Sequence, residues 1–128
     1  MMITRAEIVP MLIEACPTFL SEDELPYVSL GDFARHLLEL HRRHETETFP
    51  AVAWVIERFL IEGDDYVREA ATIGLLEGIQ NVWGNNDVDP EEFTPHLLPE
   101  SRRWWIELNA FWRGERRYVG EGIQQDGT

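Results

Sequence analysis

The sequence is poor in cysteine and contains no lysine. Its one cysteine, Cys16, cannot form a disulfide within the chain, which excludes disulfide-stapled folds and is compatible with a reducing compartment. Cys16 lies at the end of an apolar stretch, and this position predicts a buried, inert thiol rather than a nucleophile. Every basic side chain is arginine, and the absence of lysine by itself indicates no function.

Long hydrophobic runs are also missing. A helix that spans a bilayer needs about 18 or more mostly apolar residues, and no window of the chain comes near that length. Residues 1–5 lack the basic region and the following apolar run that are typical of a signal peptide. We therefore expect a cytoplasmic protein that does not enter a membrane.

Positive charge is scarce. The chain has 11 basic residues against 24 aspartates and glutamates, which gives a formal net charge of −13. This balance excludes nucleic acid and anionic membrane surfaces as partners, because both are bound through arginine and lysine. It favours rapid capture of a basic protein partner by electrostatic steering. The alternative is that the acidity serves only solubility.

Catalytic and metal-binding motifs are lacking as well. The chain has no HExxH, paired CxxC, glycine-rich phosphate loop or GxSxG. The only cluster of metal-type ligands is His36, His41 and His44 with Glu39 and Glu45 nearby, and ordinary surface histidines explain it better than a metal site does. The carboxylates fall mostly in turns and at helix starts, where they act as caps. We expect no catalytic residues, no cofactor, no metal and no enzymatic activity.

The residues that are present predict an all-α fold. The length of 128 residues and the hydrophobic content of 44% suit one domain with a real core, and no strand-like alternation occurs. The predicted domain covers residues 1–114, as a compact bundle of about five helices, and is followed by a loose tail over residues 115–128. We predict helices over about 4–15, where Pro10 causes a kink or a late start, and over about 29–43, 50–62, 64–83 and 99–113, with a short helical turn at 89–93.

The fourth of these helices has an inward stripe rich in small residues. The eight positions of this stripe are Val67, Ala70, Ala71, Gly74, Leu75, Gly78, Ile79 and Val82. Four of the eight are alanine or glycine. A glycine inside an exposed helix costs about 1 kcal/mol relative to alanine, so close packing against another helix must offset Gly74 and Gly78. We expect Gly63 to end the preceding helix in a left-handed conformation, and Asp64 or Asp65 to cap this one.

Two resemblances extend this interpretation. Residues 64–76, DDYVREAATIGLL, resemble the second helix of a HEAT-type repeat, which implies an antiparallel helical hairpin over residues 49–83. Residues 74–81, GLLEGIQN, followed by LPES at 98–101 and by Trp104 and Trp105, resemble a family of small bacterial helical proteins of unknown function. Some relatives of that family are immunity-type proteins of toxin systems. The family supplies no catalytic residues.

The five tryptophans divide into two groups. We expect Trp54, Trp105 and Trp112 to lie in the core. Trp83 and Trp104 lie near an acidic stretch, and aromatic anchors within a charged rim are typical of binding hot spots. The predicted partner-binding residues are therefore Trp83, Asp87, Asp89, Glu91, Glu92 and Trp104.

Together these features predict a non-enzymatic protein-binding domain, possibly an immunity-type protein that neutralises a basic toxin or effector through an acidic face. The alternative is a structural or adaptor subunit that forms homodimers or larger homo-oligomers through exposed aromatic side chains.

Overall fold

The computed structural model describes residues 2–19 and 26–114, and these residues form helices joined by short connections. The α-helices of this described part are Ile8–Ala15 (α1), Pro26–Arg42 (α2), Phe49–Glu62 (α3), 65–84 (α4) and Pro99–Trp112 (α5). Two 3-10 helices, Arg5–Glu7 and Pro90–His96, precede α1 and α5. No strand occurs in the described residues, where Ile3 and Gly63 form an isolated parallel bridge. The predicted all-α fold is confirmed, while the predicted tail, 115–128, lies outside the described residues.

The helix starts follow signals in the sequence. The 3-10 turn before α1 is closed by the Glu7 carboxylate, which accepts a hydrogen bond from the Thr4 backbone N–H at 3.1 Å. Pro10 falls in the first turn of α1, where its missing N–H needs no partner, so the helix starts late and is not broken. Asp64 caps α4 by accepting from the Val67 N–H at 2.9 Å, as predicted.

Gly63 corrects one prediction. It ends α3 with an extended backbone, at φ −79° and ψ 154°, and not in the left-handed conformation. The residues on either side of Gly63 both hydrogen-bond to Ile3. The Ile3 N–H donates to Glu62 O at 2.9 Å, and the Asp64 N–H donates to Ile3 O at 3.0 Å. A Cβ at position 63 would overlap Phe59 O and lie 2.6 Å from Val67 Cγ1, so the tight α3–α4 corner leaves room only for glycine.

Helix α4 packs chiefly against α2 and also contacts α3 and α5. Gly74 is buried, and a Cβ there would overlap Cδ1 of Leu30 on α2, which confirms the predicted close approach. One turn on, a Cβ on Gly78 would lie at an ordinary 3.8 Å from Ala34 Cβ. The glycines therefore face α2, whereas the HEAT resemblance places such residues on the preceding helix. That resemblance stays a prediction.

The middle of α4 is a π-helix over Ala70–Leu76, flanked by regular α-helix over Asp65–Glu69 and Glu77–Gly84. The Glu77 N–H donates to Thr72 O, five residues back instead of four. The Thr72 hydroxyl hydrogen-bonds the Arg68 and Glu69 carbonyls, at 3.2 and 3.1 Å, where the helix widens. This wide turn has no signal in the sequence pattern.

Helix α5 is held to the other helices by buried polar contacts. Its first turn has no local side-chain cap, and the Glu57 carboxylate of α3 takes that place. Glu57 is only 5% exposed and accepts hydrogen bonds from the Glu100 N–H at 3.0 Å, the Ser101 N–H at 2.9 Å and the Ser101 hydroxyl at 2.7 Å. The positive end of the helix dipole compensates the buried charge. Further along α5, Gln80 Nε2 of α4 donates to Trp105 O at 3.2 Å.

We predict that Gly74→Ala destabilises the protein and that Gly78→Ala does not. The new methyl at position 74 must displace the buried Leu30, which costs about 2 kcal/mol and outweighs the gain of about 1 kcal/mol in helix propensity. At position 78 there is room, so only the propensity gain remains. Urea unfolding of the two variants measures the difference, and equal stabilities would contradict the close approach.

We predict that Glu57→Ala lowers the free energy of unfolding by about 2–4 kcal/mol, because two backbone N–H groups and a hydroxyl lose a charged acceptor. Glu57→Gln keeps one acceptor oxygen and has an intermediate effect. The exposed Glu47 provides a control, since Glu47→Gln should change stability by less than about 0.5 kcal/mol. Chemical denaturation of the three variants checks the order, and an unchanged stability of Glu57→Gln and Glu57→Ala would show that α5 needs no cap.

Candidate functional site

The acidic segment, which we define as residues 87–92, runs from the turn after α4 into the first turn of the 3-10 helix Pro90–His96. Its four carboxylate residues, Asp87, Asp89, Glu91 and Glu92, are all exposed. Asp89 caps the 3-10 helix by accepting from the Glu91 N–H at 2.9 Å. The segment therefore presents negative charge at the surface, as its sequence suggests.

Two of these carboxylates also make contacts within the protein. Glu91 Oε2 accepts from Trp105 Nε1 at 2.7 Å and from Asn109 Nδ2 at 3.3 Å. Glu92 Oε1 hydrogen-bonds His41 Nε2 at 2.7 Å. Glu91 thus joins the 3-10 helix to α5, and Glu92 joins it to α2. Their charges remain exposed, but part of their role is to hold the segment in place.

Trp83 does not belong to this surface, which corrects its prediction as a partner-binding residue. Its side chain is 0% exposed, and its indole Nε1 donates to Ala34 O at 3.3 Å. The His41 ring stacks on the indole, with 4.8 Å between the ring centroids. The physical reason is the π-helix, whose extra residue per turn shifts all later inward positions by one place. The buried residues after the shift are Leu76, Ile79, Gln80 and Trp83, while Val82 is only partly buried.

Trp104 is half-buried and lies apart from the acidic segment. It lines a groove of about 410 Å³ with Leu60 of α3 and with residues of the first half of α4, namely Asp65, Arg68, Glu69, Thr72 and Ile73. Its neighbour Trp105 bonds Glu91, because adjacent helical residues point about 100° apart. The structure therefore does not bring Trp104 together with the acidic segment into one surface.

A second groove lies between α1 and α3. The two helices run antiparallel, because Ile3 before α1 pairs with Gly63 after α3, and Cys16 Sγ after α1 lies 3.6 Å from Thr48 Oγ1 before α3. This α1–α3 groove has a volume of about 480 Å³. Its lining residues are Glu7, Met11, Glu14, Ala15, Ala51, Trp54, Val55 and Arg58.

Trp54 is the exposed aromatic residue of this groove, and its position corrects the prediction that it lies in the core. Its side chain is 56% exposed, and Ile61, two turns further along α3, is 65% exposed. Trp112 was also expected in the core and is 58% exposed, whereas Trp105 is buried as predicted. The sequence contains a signal for Trp54, because position 54 falls outside the inward stripe of Val52, Ile56 and Phe59 on a helical wheel.

The α1–α3 groove is negatively charged. Arg58 forms a bidentate ion pair with Glu62, in which Nε donates to Oε2 at 3.0 Å and a terminal guanidinium nitrogen donates to Oε1 at 3.2 Å. The hydrogen bond and charge of Glu62, followed by the charges of Glu14 and Glu7, raise the pKa of Arg58, and the bond from Arg58 lowers the pKa of Glu62. Three carboxylates thus surround one guanidinium. The surplus negative charge lies on Glu7 and Glu14 at the rim.

The histidines of the predicted cluster have separate surroundings. His36 Nε2 lies 2.8 Å from Thr18 Oγ1, His41 bonds Glu92, and His44 is exposed. Among residues 2–19 and 26–114, no group of three histidine, cysteine, aspartate or glutamate side chains is placed to hold a metal ion. Cys16 is a buried free thiol, as predicted. No helix of the described part has the length and apolar character needed to cross a bilayer.

Comparison with known proteins gives a match to a protein family. A family model described as Domain of unknown function (DUF7674) matches residues 9–113, which is most of the chain. The matched residues run from the start of α1 to the end of α5, and they include the acidic segment and most of the α1–α3 groove. No curated protein and no solved structure matches the chain. An uncharacterised family was predicted, while the bacterial source and the immunity-type relatives remain predictions.

We predict that the protein loses stability as the pH falls through the histidine range. Burial lowers the pKa of His36 and His96, and the nearby charges of Arg43 and His41 respectively lower each further. The unfolded chain, whose histidines titrate near pH 6.5, therefore binds protons more readily than the folded chain. The free energy of unfolding is greatest above about pH 6.5 and declines below it, toward the lower folded pKa values.

Urea unfolding between about pH 7.5 and about pH 5.5 checks this dependence. His36→Gln and His96→Gln should each make the decline shallower, whereas a control at the exposed His44, His44→Gln, should leave it as in the wild type. A decline that neither His36→Gln nor His96→Gln alters would contradict the assignment.

Proposed function

Since the chain belongs to the DUF7674 family, a family of unknown function, we propose a function from its own surface: it is a non-enzymatic domain that binds a basic protein partner. The observation that supports the proposal best is the half-exposed Trp54 in the α1–α3 groove, with Glu7 and Glu14 at the rim. The predicted acidic segment, 87–92, adds a second source of negative charge to the same molecule.

An exposed tryptophan beside carboxylates suits protein binding for two physical reasons. Tryptophan is enriched among the few residues that supply most of the binding energy at interfaces, because its large ring loses much water-exposed area on contact. The carboxylates and the net charge of −13 speed the encounter with a cationic partner and select against acidic ones.

Within this class, we favour an immunity-type protein that neutralises a basic toxin or effector in the cytoplasm. A neutralising protein must capture its target quickly, and opposite net charges raise the association rate. The buried carboxylate of Glu57 is occupied by the first turn of α5, which gives it a structural role.

The proposal is tested by capture from an extract of the source cells, with the chain immobilised, at about 0.05 M and about 0.5 M NaCl. We expect one basic protein to be retained at the lower salt and lost at the higher, and lost at both by Trp54→Ala. Trp112→Ala, which removes an equally exposed indole elsewhere, should still retain it. If Trp54→Ala retains the same proteins as the wild type, the proposal is wrong.

The immunity role needs a further measurement. Expression of the captured protein alone should slow growth, and co-expression of the wild-type chain should restore it, whereas co-expression of Trp54→Ala should not. If the captured protein is harmless when it is expressed alone, the immunity role is wrong, while the proposed binding of a basic protein stands.

A homo-oligomer is the second candidate, favoured by the neighbouring exposed side chains of Trp54 and Ile61 on α3. Sedimentation velocity separates the candidates. A dimer that persists at about 0.5 M NaCl and dissociates with Ile61→Ser supports the homo-oligomer, whereas a monomer at both salt concentrations supports the first candidate.

A further inference from the structure

We propose that the element bound in the α1–α3 groove is an amphipathic helix of the partner, which packs apolar side chains against Trp54 and places a lysine or arginine at Glu14. This inference rests on the proposed protein-binding function and adds the chemistry and shape of what is bound. Three features of the groove support it: the direction of its walls, the apolar side chains in its lining and the distribution of its charges.

The walls of the groove are two antiparallel helices. Antiparallel neighbours leave a straight furrow between their axes, and a third helix fills such a furrow by ridges-into-grooves packing. The wall formed by α1 has 8 residues and is therefore about 12 Å long, which matches about two turns of a bound helix. A helix of that length contributes apolar side chains at positions i, i+3 or i+4 and i+7.

The lining of the groove combines apolar and charged side chains. Its apolar part consists of Met11 and Ala15 of α1 and of Ala51, Trp54 and Val55 of α3. In the proposed complex this part packs against a large apolar side chain of the partner, such as leucine or phenylalanine, which also covers the exposed indole ring. Burial of that ring and of an apolar partner side chain is the main source of affinity.

The charges of the groove select a cation for one position. The Arg58 guanidinium is already bound by Glu62, and Glu7 is held by the Thr4 N–H. Glu14 is exposed and makes no hydrogen bond or ion pair within the described residues. A lysine or arginine of the partner therefore gains most at Glu14, in the same lining as Trp54, while an acidic side chain there is repelled.

The test uses a display library of random peptides of about 16 residues, which is long enough for about four helical turns. The library is panned on the wild-type chain after depletion on Trp54→Ala. We expect enriched peptides with leucine, methionine or phenylalanine at helical spacing and with lysine or arginine beside that stripe. Failure to enrich any peptide, or enrichment of peptides without basic residues, overturns the inference.

Synthetic versions of the enriched peptides are then measured by calorimetry. Trp54→Ala and Glu14→Arg should each weaken binding about tenfold or more, and the peptides should gain helical circular dichroism when bound. Trp112→Ala and Glu45→Arg are the matched controls and should change binding less than about threefold. Equal losses in the controls, or a bound peptide that stays extended, would also overturn the inference.

These results are separable from those of the proposed function. A basic protein captured from cell extract in a Trp54-dependent way, together with peptides that bind without helix formation, keeps the binding function and rejects the helix. Loss of capture together with failed panning rejects both.

Discussion

The close approach of α4 to α2 is the constraint on which the rest of the structure depends. Gly74 lies against Leu30, and a few turns later the Trp83 indole reaches the Ala34 carbonyl. His41 of α2 stacks on Trp83 and bonds Glu92, which fixes the 3-10 helix that leads into α5. Helix α3 packs against α4, α1 and α5 and keeps its outer face, with Trp54 and Ile61, exposed.

The position of α5 depends on polar groups from distant parts of the chain. Glu57 supplies its missing cap, and Gln80 hydrogen-bonds the Trp105 carbonyl in its middle. Glu57 replaces the side-chain cap that a helix usually finds in its local sequence, and Gln80 adds a hydrogen bond between α4 and α5. The acidic surface is organised in the same way, because Glu91 and Glu92 both present charge and attach one segment to its neighbours. A single carboxylate therefore serves stability and surface charge together.

Much of the fold could be predicted because its signals are local. Pro99 and Asp64 mark helix starts, and the glycines of α4 predict tight packing. The site was harder to predict, because the burial of Trp83 depends on the π-helix, which has no signal in the sequence pattern, whereas the exposure of Trp54 could be read from the helical wheel. A regular α-helical period places Trp83 beside the inward stripe, and only the π-helix turns it inward. The bond from Ser101 to Glu57 joins residues 44 positions apart, which no short-range pattern reveals.

The π-helix in α4 also determines in which directions side chains point before and after it. Val67 and Trp83 are both fully buried, yet in an unbroken α-helix two residues 16 positions apart would point about 160° away from each other. One surplus residue reduces that angle to about 60°. The helix therefore behaves as one that has absorbed an inserted residue. Removing one residue from Ala70–Leu76 would restore ordinary α-helical geometry while both ends kept their contacts with the protein interior.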